Sequence, residues 1–237
     1  MMGNMIFDGL LSAKSRPWTH CSYASNVCPS HVAFPLRLAL WNCAPQPLNL
    51  NVSTHGRIMV IQTTIGALFF SAYAKGRALA TDEAIFKHTQ LEPRLPPGMS
   101  VDLLEAVLVV LKPQVPINTV TISCKWVKIP GPWDDRPSGE CLDAQSWVLG
   151  EKLVLIGTED LDSLSIRLTE HGLLSAPYPV NYCNDGFEIL LPLVPACRIT
   201  SLHFIVASNS YPEPVDCSAW YAVDVPHGHV LTAVGEG

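Results

Sequence analysis

The clearest periodic signal in the chain lies at Asn118–Ile129, where Val120, Ile122, Cys124 and Trp126 alternate with Thr119, Thr121, Ser123 and Lys125. A period of two sends successive side chains to opposite faces, so this segment reads as a strand with one face on a core and one in water. That habit favours an antiparallel sheet. Trp147–Ile156 reads as a second strand, broken near Gly150. The turn signal Asn184-Asp185-Gly186 then leads into Phe187–Leu191, Arg198–Ala207 and Ser218–Val225, three strands in succession that suggest hairpins or a meander.

Other stretches read as helices. Ile65, Leu68, Phe69 and Tyr73 recur near helical spacing within 64–79. Ser100 can cap Val101–Lys112, whose apolar positions Leu103, Leu104, Val107, Leu108, Val110 and Leu111 wrap most of the circumference before Pro113 stops it. Thr158 caps Glu159–His171, with acidic residues in the first turn and Gly172 at the αL position. A short helix follows Thr81 over Asp82–Lys87. Twenty prolines, many in the connections, punctuate these elements. The expected fold is α+β: an antiparallel sheet of about five strands (118–129, 147–156, 187–191, 198–207, 218–225) against about three helices (64–79, 101–112, 159–171).

Residues 1–58 differ in character. They show no sustained period, and carry one acidic and four basic residues, against 20 acidic and 11 basic in 59–237. The simplest reading makes 1–58 a poorly ordered leader or start-site extension ahead of a single domain at 59–237, with Met59 as an alternative start. The apolar stretch Ile58–Ala74 is too short and too polar (Gln62, Thr63, Thr64, Ser71) for a membrane span. It ends in Ala72-Tyr73-Ala74 but lacks a positive n-region after Met59, so a buried first element is preferred to a signal peptide. The location expected is cytoplasmic, with export and cleavage near Ala74 as the alternative.

Charge narrows the partners. A balance of −9 after residue 58, with no block of Lys or Arg, disfavours nucleic acid and suits a basic protein partner. Cys124, Cys141, Cys183, Cys197 and Cys217 are odd in number and lack CxxC spacing, which fits reduced thiols better than a disulfide framework. One bridge between Cys183 and Cys197 is compatible with the spacing.

Candidate chemistry is sparse. His227-Gly228-His229 has ligand-like spacing, but a zinc site needs three or four ligands and no further ligand stands at a recognisable interval; His20, Cys21, Cys28, His31 and Cys43 lack a flanking fold signature. No metal or cofactor is therefore expected. There is no Gly-x-Ser-x-Gly elbow, Walker A motif or GxGxxG, and no family is recognised by motif. The function expected is a non-enzymatic acidic binding domain, such as an inhibitor or immunity-type protein that neutralises a basic partner. Trp133 would anchor that partner, and Asp134, Asp135, Glu159, Asp160 and Asp162 would steer it. The alternative is a small hydrolase or transferase drawing on Cys183, His203, Asp224 or His227.

Overall fold

The computed structural model describes residues 58–170, 172–173, 179–210 and 217–236. Among the described residues the strands are β1 (Ile58–Gln62), β2 (Ala67–Ala74), β3 (Arg77–Ala78), β4 (Ala84–Gln90), β5 (Leu103–Leu111), β6 (Ile117–Trp126), β7 (Leu142–Leu149), β8 (Lys152–Glu159), β9 (Val180–Cys183), β10 (Gly186–Val194) and β11 (Thr200–Ser210). The helices are short: α1 (Leu161–Glu170), α2 (Cys217–Val223) and α3 (His227–Ala233). The chain is thus mostly β, and the expected single sheet against three helices is overturned by two antiparallel sheets.

The first sheet has the order β1-β2-β6-β10-β9, with β3 on the end of β2; the second has the order β4-β5-β11-β8-β7. Each is built alike, as two hairpins flanking one central strand. Hairpins β1–β2 and β9–β10 flank β6, and hairpins β4–β5 and β7–β8 flank β11. Apolar inner faces meet between the sheets, where Phe70 packs on Phe204 with ring centroids 5.6 Å apart and Trp126 meets Trp147 edge-on at 5.5 Å. The outer face of the second sheet forms another apolar layer, with Leu104, Leu108, Leu155 and Ile205 beneath Ala219 and Val223 of α2 and Val230 of α3.

This double burial explains the largest correction. Strand β5 lies between β4 and β11 with Val107 and Val109 turned to the inter-sheet core and Ala106 and Leu108 to the helix-covered face. A strand covered on both sides loses its alternation and becomes a continuous apolar run. The run at 101–112 therefore imitates a buried helix, although its four valines favour a strand. Likewise the expected helix at 64–79 is strand β2 followed by the turn into β3, and the one at 82–87 is a turn entering β4. The expected strand at 218–225 is α2, whose Ala219, Ala222 and Val223 bury at helical spacing.

Other expectations match the fold. β6 buries Val120, Ile122, Cys124 and Trp126, as its alternation predicts. The 147–156 segment resolves into hairpin β7–β8 turning at Gly150, which has φ +62°. Helix α1 begins later than expected. Thr158 belongs to β8 and bonds the His203 carbonyl, whereas Asp160 caps the helix, its Oδ1 accepting from the Asp162 and Ser163 amides. Gly172 takes a left-handed φ of +70° after α1. His171 and residues 1–57, with their Cys/His cluster, lie outside the described residues.

Candidate functional site

The loop flagged for partner docking lies along an otherwise open sheet edge. Strand β7 borders the second sheet, and residues 134–137 run antiparallel to it. The Asp134 amide donates to the Ser146 carbonyl (2.8 Å), the Ser146 amide to the Asp135 carbonyl (2.9 Å), and the Ala144 amide to the Pro137 carbonyl (2.9 Å). Ser146 Oγ accepts from the Asp135 amide at 3.0 Å, fixing the loop further. Proline at 137 fits an edge segment, since it needs to donate nothing to a ladder.

Three aromatic and cationic side chains assemble on this loop. The Arg136 guanidinium sits 4.3 Å from the Trp133 ring centre and 5.1 Å from that of Tyr182, between the two rings. Tyr182 of β9 is itself fixed, packed on Phe187 at 5.2 Å and hydrogen-bonded to the Asp143 carboxylate. Burial first, and then the Asp143 charge, push the Tyr182 hydroxyl well above the usual tyrosine range, so it stays protonated and donates. Trp133 remains 37% exposed.

Asp143 also links this cluster to α1, because its carboxylate accepts from the Leu161 amide and feels the charges of Asp160 and Asp162. Burial, opposed by the Tyr182 and Leu161 hydrogen bonds, leaves the Asp143 carboxyl raised. Two of the sequence-flagged segments, the Trp133–Asp135 loop and the start of α1, thus meet through a residue that sequence reasoning missed. Asp143 gave no signal beyond its place in a polar stretch. Glu159 stands apart. It is 5% exposed and is held by Arg167 of α1 through a forked contact of Nε and Nη2.

A second cluster gathers where the end of β8 meets the start of β11, below the start of α3. Glu159 and His203 neighbour one another across the strands, and His227 reaches them from α3. His203 Nδ1 lies 2.8 Å from His227 Nδ1, so one ring donates and the other accepts, and the rings stack with centroids 5.0 Å apart. His227 Nε2 meets Ser201 Oγ at 2.9 Å, and Arg167 Nη1 donates to the Ser201 carbonyl at 2.8 Å. His203 is 1% exposed, and its Nε2 is buried with no hydrogen-bond partner. Burial, then His227 and Arg167, hold its pKa well below the usual histidine value and keep the ring neutral.

The other residues considered for catalysis are elsewhere. Asp224 follows α2 and accepts from the Glu140 and Cys141 amides at 3.2 and 2.8 Å, clamping the loop before β7. Cys183 ends β9 in the first sheet, its carbonyl accepting from Gln145 Nε2 across the sandwich at 3.1 Å. The four candidates therefore do not form one constellation; only the two histidines meet. Cys197 is a free thiol, so the Cys183–Cys197 bridge is not formed. A shallow groove of about 390 Å³ near the β2–β3 turn, lined by Lys75, Arg77, Glu83 and Asn118, is remote in sequence from all of these residues.

The fold and these two clusters define a two-sheet antiparallel β-sandwich with helices over one outer face. Comparison of the chain with protein-family models, curated proteins and solved structures gives no match. Among the described residues no helix is long and apolar enough to cross a membrane. Ile58–Ala74 forms β1 and β2, and a chain beginning at Lys75 would lack both, although β2 joins β1 to β6.

Proposed function

We propose that this domain is a non-enzymatic binding module that docks a basic protein partner at the β7 edge, in the manner of an inhibitor or immunity-type protein. Trp133 is the anchor, with Asp134, Asp135, Asp160 and Asp162 as the steering charges. The observation carrying this reading is the pinned loop with its stacked Trp133–Arg136–Tyr182 cluster. Tryptophan, tyrosine and arginine dominate interface energetics, and an anchor already held in place loses little entropy on binding. Glu159 contributes by holding Arg167, not by meeting the partner.

The test uses the full chain to capture proteins from its native host at low salt, followed by affinity measurements on each recovered partner. A basic partner is expected, bound less tightly as salt rises. Trp133→Ala should weaken binding about 30-fold, the scale of an interface hot spot. Asp134→Asn with Asp135→Asn should chiefly slow association and flatten its salt dependence. Unchanged affinity in both variants would overturn the reading.

A further inference from the structure

We infer that Glu159, His203 and His227 form a binding site for a divalent transition-metal ion of the zinc type, tying β8, β11 and α3 together. Two imidazoles and one carboxylate form a ligand set suited to such ions. One ligand atom from each residue lies within 4.8 Å of the others. In a tetrahedral site with bonds of about 2.0–2.1 Å, ligand atoms stand about 3.3 Å apart, so only a small closure is needed. Water would take the remaining position.

Two independent features point to a ligand here. His203 is almost wholly buried, yet its Nε2 has no hydrogen-bond partner, an arrangement that is costly when nothing fills it. The groups that orient metal ligands are also in place. Ser201 Oγ holds His227 Nε2, which turns the Nδ1 edge of that ring toward His203. Arg167 fixes the Glu159 carboxylate and bonds the Ser201 carbonyl as well. Such outer partners set the tautomer and orientation of ligating side chains.

His229 explains why the sequence misdirects. It shares the His227-Gly228-His229 spacing but stands outside the cluster, while the true partners of His227 lie on β8 and β11. The site is independent of the docking edge, since none of its ligands belongs to the Trp133 cluster.

The experiment strips the full chain with chelator and re-equilibrates it with Zn²⁺ alone, comparing wild type with His227→Gln, His203→Gln and His229→Gln. Bound zinc is measured per chain, and circular dichroism checks that each variant folds. Wild type and His229→Gln should each bind one more zinc than His227→Gln and His203→Gln. The comparison removes any zinc held by the cysteines and histidines of residues 1–57, which all variants share. With Co²⁺, the difference spectrum of wild type minus His227→Gln should show visible bands without thiolate charge transfer. Excess Zn²⁺ should raise the melting temperature of wild type by about 5 °C and leave His227→Gln unmoved. His227 is partly exposed, so its variant keeps the test decisive if His203→Gln does not fold. Equal zinc in wild type and His227→Gln, or equal loss in His229→Gln, would overturn the proposal and leave a hydrogen-bonded histidine pair.

Discussion

Gly186 is the position where one added carbon should do most damage, and the structure fixes why. It opens β10 directly after the Asn184-Asp185 turn, opposite Lys125 of the central strand β6, with φ at +140°. A Cβ there would lie 2.0 Å from the Cys124 carbonyl oxygen and 3.0 Å from both the Cys124 carbonyl carbon and Lys125 Cα. All three obstacles are backbone, in a strand bonded to β2 on one side and β10 on the other, so they cannot swing aside as a side chain would. So sparsely populated a backbone conformation costs an L-residue about 1–3 kcal/mol. Opening the gap by about 1 Å would also break the first ladder bonds, at about 1 kcal/mol each. Gly186→Ala should therefore destabilise the domain by about 3–5 kcal/mol, a large share of the 5–15 kcal/mol typical of a folded domain. Gly150→Ala is the control, because Gly150 has φ +62° and nothing within 4 Å of an added Cβ. It bears only the conformational cost, about 1 kcal/mol. Urea unfolding followed by fluorescence of the buried Trp126 and Trp147 gives both values. If Gly186→Ala falls within about 1 kcal/mol of Gly150→Ala, the steric argument is refuted.

Arg167→Met should cost about 3 kcal/mol by leaving the buried Glu159 carboxylate unpaired, while adding Glu159→Gln restores part of the loss; simple additivity in the double-mutant cycle would count against a coupled pair. The Glu83 carboxyl is held down to about 2 by the Arg77 hydrogen bond, against burial and with help from the Ala80 amide. Its folded pKa is depressed, so its stabilisation is complete above the unfolded value near 4.5 and is lost as pH falls toward 2. Glu83→Gln should accordingly be less stable than wild type at pH 7, with the gap closing across that window in pH-dependent melting; a constant gap would refute it. In maleimide labelling with peptide mapping, exposed Cys197 should react rapidly, whereas Cys124, fully buried with its thiol pushed up by that burial, should react only on unfolding.

What could be read in the sequence follows from how each element is covered. β6 shows its alternation because its two faces differ in polarity, and α1 announces itself through its acidic start and closing glycine. β5 is illegible as a strand because apolar layers cover both its faces. Helix α2 misleads for the opposite reason, since Trp220, Tyr221 and Val223 carry strand propensity while Ala219, Ala222 and Val223 mark the face that packs. The Trp133–Asp135 loop stood out by composition, yet Arg136 and Tyr182, which hold it, become neighbours only through the fold. The histidine cluster needed tertiary information altogether, because Glu159, His203 and His227 sit on three elements with no common spacing.

The order in which the two sheets receive their parts governs how the chain emerges from a ribosome. Successive units alternate between sheets: a hairpin to the first, a hairpin to the second, then β6, then β7–β8, then β9–β10, and lastly β11. The second sheet thus obtains its middle strand last, with Leu103 waiting for Ser208 and Leu111 for Thr200. Until Ser210 has been synthesised, β5 and β8 each present an unpaired edge and apolar surface on both faces. Pairings so distant in sequence make folding slow and leave the growing chain prone to aggregation. Nascent chains that stop short of β11 should accordingly be strong clients for chaperones, and full-length chains should release them soon after β11 clears the exit tunnel.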